Sequence, residues 1–142
     1  MDNLEIMVGN LVDVLTISES KLDGTFPMSQ FEIQGFKTLY RLDISAQSGI
    51  LLIYVRNSIP SHQLTDFKMP KDIQIIPVEL NLRKTKWLLL NIYKPPKQST
   101  LYFLEILSNI IIWYSKYDNI IINGDFNLEP DNPDRLNFLN IY

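Results

Sequence analysis

The stretch NIIINGDFNLEP, residues 119–130, places three consecutive isoleucines just before a glycine, an acid, an aromatic residue and an amide. Two structures are compatible with this pattern. Asn123-Gly124 is a common signal for a two-residue β-hairpin turn. Alternatively, the isoleucines belong to a buried strand that presents Asp125 and Asn127 in a loop at the end of a sheet, where functional side chains are often found.

The residues that follow Asn123-Gly124 favour the second structure. A hairpin requires another strand straight after its turn. Polar residues and prolines instead dominate positions 125–134, a composition typical of a loop. We therefore predict a strand over 119–123 that leads into Asp125 and Asn127.

The first part of the chain combines a helical pattern with two strand patterns. The first 13 residues carry apolar side chains at helical spacing, and VLTIS (14–18) is a short β-branched strand. Residues 24–48 are expected to be irregular, because glycine, proline and polar residues interrupt them, with Phe31, Ile33 and Phe36 in a loop or short edge strand packed onto the core. GILLIYVR (49–56) is almost entirely apolar, which predicts a strand buried on both faces, and a turn is expected over 57–64.

Two further strand patterns, 73–82 and 85–93, are separated by Arg83 and Lys84 alone, so a hairpin is expected. Pro77 has no N–H to donate and predicts that the first of these strands lies at a sheet edge or contains a bulge. A helix is predicted over 100–115 and another beginning near Asn132. The fold class is mixed α/β (α+β), with helices covering a mostly antiparallel sheet, and residues 1–142 are expected to form one domain.

Composition limits the chemistry available to the chain. The absence of cysteine excludes disulfide-linked partners, Cys-type zinc sites and thiol chemistry. His62 is the single histidine, so any metal would be a hard, oxygen-ligated ion such as Mg²⁺. The net charge of −3 lacks the basic footprint of many nucleic-acid binders, although a local basic patch remains compatible with it.

No apolar run reaches the length of a transmembrane helix. The sequence MDNLEIMVGN at the N-terminus carries acids rather than the basic region of a signal peptide. We expect an intracellular protein with no membrane partner. The nucleus is one location compatible with this expectation.

Three of the predicted strands are followed by polar side chains. Glu19 follows the first strand, Tyr93 ends the strand over 85–93, and Asp125 and Asn127 follow the isoleucine strand. Carboxylates from two strands and an amide match the oxygen ligands that Mg²⁺ takes together with water and phosphate. Acids at strand ends are common, so the same pattern also fits solvated loop residues.

Four segments together resemble the endonuclease/exonuclease/phosphatase superfamily, and in particular the endonuclease domain of non-LTR (LINE-type) retrotransposons. They occur in the order, and at about the separations, found in that superfamily. The segments are TISESKLDGTFP (16–27), SGILLIYVRNSIP (48–60), LNIYKPP (90–96) and IINGDFN (121–127). The resemblance implies part of a four-layer α/β sandwich, in which two sheets pack together and helices lie outside.

The resemblance also implies a function and individual residue roles. It implies a Mg²⁺- or Mn²⁺-dependent DNA endonuclease or phosphodiesterase. Glu19 resembles the family's metal-binding glutamate, and Lys21 falls on the lysine of the same motif. Tyr93 resembles the tyrosine that contacts the scissile phosphate. Asp125 resembles the aspartate that orients or activates the attacking water, and Asn127 the asparagine that stabilises the phosphate in the transition state.

Basic residues concentrate near the strand over 85–93. They are candidate phosphate or nucleic-acid contacts if they lie beside the site, and ordinary exposed charges otherwise. They are Arg83, Lys84, Lys86, Lys94 and Lys97.

Parts of the family pattern have no counterpart in this chain. The family begins with a strand that bears an asparagine and ends with strands that bear an aspartate and an Asp-His pair. We therefore expect a truncated domain that is weakly active or inactive as given. One alternative is a non-catalytic transposon remnant that only folds or binds metal, and another is a phosphatase or lipid phosphodiesterase. Cutting such a sandwich exposes apolar sheet surface, so we also expect self-association.

Overall fold

The computed structural model describes residues 11–18, 25, 27–45, 49–68 and 70–128. The predicted N-terminal helix and the helix predicted near Asn132 lie outside these residues. The described part contains seven strands, one α-helix and a short 3-10 helix. Their bounds are β1 (Val14–Ile17), the 3-10 helix (Met28–Phe31), β2 (Phe36–Ser45), β3 (Gly49–Arg56), β4 (Ser61–Gln63), β5 (Gln74–Leu82), β6 (Thr85–Tyr93), α1 (Thr100–Trp113) and β7 (Asn119–Asp125).

The strands form two sheets. The three-stranded sheet has the order β1-β3-β2, and both of its pairings are antiparallel. The four-stranded sheet has the order β4-β5-β6-β7, in which only the β6–β7 pairing is parallel. A parallel pair needs a crossover connection, and α1 supplies it. The predicted mixed α/β class is confirmed.

Hydrophobic side chains hold these elements together in layers. Between the two sheets lies a cluster that includes Leu51, Ile53, Val55, Ile76, Val78, Leu80 and Leu89. The helix α1 packs on the other face of the four-stranded sheet through Phe103, Ile106, Leu107 and Ile110, which meet Leu88, Leu90 and Ile92. Phe31 and Ile33 cover Leu52 and Tyr54 on the outer face of the three-stranded sheet. No helix in the described residues is long and apolar enough to cross a membrane.

The irregular structure predicted for residues 24–48 is wrong over residues 36–45, which form β2. The register of β2 against β3 shifts between Lys37 and Tyr40 and again between Asp43 and Ser45. YRLDIS (40–45) nevertheless alternates apolar and polar residues, which is the strand signal that the prediction overlooked. The three-residue strand β4 occupies part of the turn predicted over 57–64.

The predicted hairpin between β5 and β6 is present, but β5 is an inner strand rather than an edge strand. The carbonyl of Pro77 accepts a hydrogen bond of 3.0 Å from the Leu64 N–H. In an antiparallel strand the nitrogen and carbonyl of one residue point to the same side. The missing N–H of Pro77 therefore faces the end of β4, where the last register pair is Gln63 with Val78, and the β5–β6 ladder is uninterrupted.

A buried carboxylate lies at the end of the four-stranded sheet where β6 begins. Glu79 is 7% exposed; its Oε2 accepts a hydrogen bond of 2.8 Å from the Tyr117 hydroxyl, and its Oε1 is 3.1 Å from Lys86 Nζ. Burial alone would raise the pKa of Glu79. The hydrogen bonds from Tyr117 and Lys86, with the charges of Lys86 and His62, outweigh burial and lower the pKa.

The lowered pKa predicts how Glu79 contributes to stability. Because the folded-state pKa lies below the ordinary value of 4.5, the contribution is present above that pH and is lost as the pH falls through the folded-state pKa. Wild-type protein should therefore lose stability more steeply than Glu79→Gln below pH 4.5, as measured by urea unfolding at a series of pH values. Glu32→Gln removes an exposed carboxylate and should keep the wild-type steepness. Equal slopes in wild type and Glu79→Gln would contradict the prediction.

Candidate functional site

The parallel pairing of β6 with β7 brings two predicted site residues together. Tyr93 and Asp125 are register partners at the carboxyl ends of these strands. The Lys94 N–H donates a hydrogen bond of 2.9 Å to the Asp125 carbonyl and so extends the ladder by one more bond. Neighbouring strands lie about 4.8 Å apart, so backbone geometry alone holds the two residues side by side.

The loop after β7 orients Asp125 and Asn127. The Asn127 N–H donates to Asp125 Oδ1 at 3.0 Å, an arrangement that Asp side chains commonly make two residues ahead of themselves. Asn127 has a φ of 43°, a left-handed conformation that Asn tolerates better than most residues. Its Nδ2 donates to the Lys94 carbonyl at 2.8 Å. A carboxylate has about four acceptor positions, so Asp125 can accept further hydrogen bonds.

Gly124 allows β7 to approach β6 closely at the site. Its φ is 138°, and a Cβ at this position would lie 1.8 Å from the Ile92 carbonyl oxygen. Glycine alone adopts this conformation without strain and without a collision. Asn123-Gly124 is therefore part of a strand and not a hairpin turn, as predicted from the residues that follow it.

Tyr93 lies on the inner face of the four-stranded sheet. It is 4% exposed and belongs to the hydrophobic cluster between the sheets. Tyrosine combines a large apolar ring with a hydroxyl that can bind a polar partner. Its ring thus contributes to the core at the point where β6 meets Asp125.

The candidate basic contacts differ in where they lie. Lys97 is exposed in the loop after Tyr93. Lys94 is only 1% exposed, and its Nζ lies 3.4 Å from the Asn127 and Pro95 carbonyl oxygens, so it supports the loop from beneath. Lys21 lies outside the described residues, and so does the predicted metal ligand Glu19.

Arg83 and Lys84 form the hairpin turn between β5 and β6, with φ values of 49° and 70°. At about 3.3 Å per residue, a strand the length of β6 separates them from Tyr93 by roughly 30 Å. The structure therefore places Arg83 and Lys84 at the opposite end of the sheet from Asp125. His62 pairs with Glu79 toward that same end.

Sequence reasoning missed Asn91, two residues before Tyr93. Asn91 is fully buried, with 0% exposure, and its Nδ2 donates to the carbonyls of Ile17 (3.0 Å) and Leu52 (3.1 Å). Its Oδ1 accepts a hydrogen bond of 3.2 Å from Ser18 Oγ. A single amide within the apolar strand sequence WLLLNIY is the signal that could have identified it, because a buried polar group needs partners.

A divalent metal is implied by the resemblance. The described part of the chain contains no group of three or more His, Cys, Asp or Glu residues able to hold a metal. Mg²⁺ commonly takes only one or two protein carboxylates and completes its ligands with water and phosphate. The carboxylate oxygens of Asp125 are donors of the kind that Mg²⁺ takes.

No protein-family model matches the chain, and no curated protein matches it. Solved structures do match it. The endonuclease domain of TRAS1, a telomere-specific non-LTR retrotransposon, has a TM-score of 0.67 and 15% identity over 98% of this chain and 61% of that chain. TDP2 of D. rerio, complexed with a single strand DNA product, has a TM-score of 0.63 and 14% identity over 96% of this chain and 56% of that chain.

The chain has the endonuclease/exonuclease/phosphatase fold. The fold predicted from the four sequence segments is thereby confirmed. A humanized D. rerio TDP2 shares it, with a TM-score of 0.62 and 12% identity over 95% of this chain and 61% of that chain. The chain thus spans 56% to 61% of the length of these three solved chains.

The close approach at Gly124 predicts a steep cost for any side chain there. Gly124→Ala should lower the free energy of unfolding by at least about 2 kcal/mol, because it combines backbone strain with a collision against Ile92. Gly35→Ala is the matched control: Gly35 also has a positive φ, of 86°, but a Cβ there meets nothing within 4 Å. Urea denaturation measures both. Equal losses in the two variants would show that β7 does not need the close approach.

Proposed function

We propose that this chain carries the phosphoester site of a Mg²⁺- or Mn²⁺-dependent DNA endonuclease, a phosphodiesterase of the retrotransposon type. The observation that carries the proposal is the register pairing of Tyr93 with Asp125, with Asn127 held beside them by two hydrogen bonds. These residue types at strand ends can receive a proton and donate hydrogen bonds to phosphate oxygens. The shared fold with a DNA endonuclease domain and with TDP2 supports the choice of substrate.

Each side chain has a role that follows from its chemistry. The Asp125 carboxylate accepts a proton from the attacking water and so orients it. The Tyr93 hydroxyl and the Asn127 amide donate hydrogen bonds to the phosphate as negative charge develops on it. Because their backbones are fixed by the ladder and by the loop, these groups need little rearrangement during the reaction.

Glu19 would hold the divalent metal, with water and phosphate oxygens as further ligands. When bound, such an ion polarises a phosphoryl oxygen and neutralises developing charge. Such a site needs no histidine or cysteine, because Mg²⁺ and Mn²⁺ accept carboxylate and water oxygens.

DNA contacts would come from basic residues at different distances from the scissile phosphate. Lys97 is exposed near Tyr93, and Lys21 follows Glu19 by two positions, so both can neutralise nearby phosphates. Lys94 contributes positive charge from beneath the loop. Arg83 and Lys84, roughly 30 Å away, could contact only phosphates about nine nucleotides along a strand that rises 3.4 Å per nucleotide. A DNA substrate also implies an intracellular, nuclear location.

Self-association through exposed apolar surface is a further part of the proposal. Ile121 is 40% exposed on β7, the edge strand of the four-stranded sheet within the described residues, and Ile112 is 67% exposed on α1. Open strand edges promote pairing between chains. Ile121→Lys should therefore shift the chain toward monomer in light scattering, because a lysine on an edge strand opposes pairing. Ile112→Lys, on the helix, should have less effect. The reverse order would exclude the strand edge as the surface.

Plasmid nicking tests the proposed activity. Where the wild-type chain with Mg²⁺ retains weak nicking of supercoiled plasmid, Asp125→Asn should slow it by roughly a further 100-fold, the usual effect of losing a positioned proton acceptor. Asp66→Asn removes an exposed acid from the loop after β4 and should leave the rate unchanged. Nicking that Asp125→Asn does not slow would overturn the site assignment.

The same assay separates the alternatives. A wild-type chain that leaves plasmid intact at all Mg²⁺ and Mn²⁺ concentrations would favour the inactive domain expected from the sequence over an active endonuclease. Mn²⁺ binding that persists in such a chain, and that Glu19→Ala abolishes, would identify a non-catalytic domain that retains only metal binding. Release of phosphate from monoesters without nicking would identify a phosphatase.

A further inference from the structure

We propose that a groove beside the C-terminal end of α1 binds a single strand of nucleic acid through its unpaired bases. This cavity, the Trp113 groove, has a volume of about 420 Å³. It lies between α1 and the segment before β5 and is lined by Lys68, Pro70, Ile106, Asn109 and Trp113. The proposal goes beyond the proposed function, because the groove contains none of the residues of the candidate site.

The Trp113 groove and the candidate site lie at opposite ends of α1. Near the start of the helix, the ring centre of Phe103 is 5.4 Å from that of Phe126, the residue after Asp125. The helical rise of 1.5 Å per residue places Trp113 roughly 15 Å from Phe103 along the axis. A ligand in the groove would therefore leave the candidate site open.

Trp113 offers a flat aromatic surface at the groove. It is 53% exposed, although tryptophan is a residue type that is usually largely buried. Ile106, which is 9% exposed, and Pro70 add apolar lining beside it. Proteins that hold single strands stack bases on aromatic side chains of this kind, because every base has a flat π surface.

Lys68 places a positive charge beside the indole. Its side chain is exposed, and its Nζ lies 5.8 Å from the ring centre of Trp113. The Lys68 N–H donates a hydrogen bond of 3.0 Å to the Tyr114 hydroxyl, which holds the backbone of the segment against the helix. A base stacked on Trp113 would thus have a lysine near its phosphate. The amide of Asn109 can donate to and accept from the base edge.

A second cavity with a lysine adjoins the groove. Phe67 and Tyr114 stack with their ring centres 4.5 Å apart, and both line this cavity of about 310 Å³. Lys116 lines it as well, and its Nζ lies 5.7 Å from the ring centre of Tyr117. Aromatic rings and lysines therefore recur along this edge of the molecule, as bases and phosphates recur along a nucleic-acid strand.

The charges at the two cavities favour a polyanion, and their shape favours a single strand. Neither Lys68 nor Lys116 belongs to an ion pair among the described residues. The C-terminus of α1 is the negative end of the helix dipole, so the lysines rather than backbone N–H groups would bind the phosphates. In a duplex both faces of each base are already stacked, and the bases could not reach Trp113. An unpaired strand is therefore the ligand that fits.

Tryptophan emission tests the proposal on the full chain, in EDTA so that no metal-dependent step takes place. The probe is an oligothymidylate of about eight nucleotides, within the usual site size for single strands. It should quench the emission of the wild type, and the same oligonucleotide annealed to its complement should not. Trp87→Phe and Trp113→Phe each remove one indole. The quench should persist in Trp87→Phe and disappear in Trp113→Phe.

Fluorescence anisotropy of the labelled oligonucleotide gives the affinity. Trp113→Ala should weaken binding roughly tenfold, as expected for the loss of one stacked base. Lys68→Gln should weaken binding and lower the slope of log affinity against log salt by about 0.7, the value for one phosphate of a single strand. Lys71→Gln removes an exposed lysine that lies before β5 but does not line the groove, so it should keep the wild-type slope.

Three results would overturn the proposal. One is the absence of binding. Another is binding without a quench, or with a quench that Trp113→Phe retains, since the strand would then lie elsewhere. The third is wild-type affinity in Trp113→Ala together with equal competition by inorganic polyphosphate, which would show that charge alone acts.

The outcome is separate from that of the plasmid assay. Asp125→Asn should quench as the wild type does, because the groove lies away from Asp125. Nicking by a chain that shows no quench would leave the proposed function standing and overturn the binding groove. A quench in a chain that does not nick would support the groove alone.

Discussion

The parallel hydrogen-bond ladder between β6 and β7 is the interaction on which the arrangement of this protein depends. Two successive strands can lie parallel only if the connection between them leads back to the end of the sheet where the first strand began. The helix α1 supplies that connection. The apolar face of α1 then buries the outer face of both strands. The ladder also determines which side chains meet at its end, because Tyr93 and Asp125 are its last register pair.

Much of this could be predicted from the sequence, for physical reasons that differ between elements. The isoleucine strand and its ending were recognisable because a polar, proline-containing loop cannot be the second strand of a hairpin. The strand over 85–93 and the helix after it have unbroken apolar periodicity, and both are present. The strand β2 was missed although YRLDIS (40–45) alternates apolar and polar residues, because the prediction relied on the glycine, proline and polar residues found across 24–48. The prediction that Pro77 places its strand at a sheet edge was wrong. Which side of a strand lacks a hydrogen-bond partner depends on the assembled sheet and not on the sequence of the strand alone.

The candidate site likewise has some features that the sequence predicts and others that it does not. That Tyr93 and Asp125 end neighbouring strands follows from local patterns and a known family order. The separation of Arg83 from the site already follows from the predicted hairpin and the length of its second strand. The burial of Lys94 and the partners of Asn91 are known only from the assembled structure. A single sequence contains the residue types for these contacts but not the distances that distinguish a supporting lysine from an exposed one. Asn91 is the exception, since an isolated amide in an apolar strand already indicates a buried hydrogen-bond network.

The placement of the aromatic residues has an optical consequence. The chain has two tryptophans, and both lie at the end of the sandwich away from the candidate site. Trp87 pairs with the first residue of β7, and Trp113 ends α1, where it is 53% exposed with Lys68 Nζ 5.8 Å from its ring centre. Tryptophan emission therefore reports the far end of the molecule. The native chromophore beside Asp125 is a tyrosine, Tyr93, so ultraviolet difference absorption is the intrinsic signal suited to following events at the site.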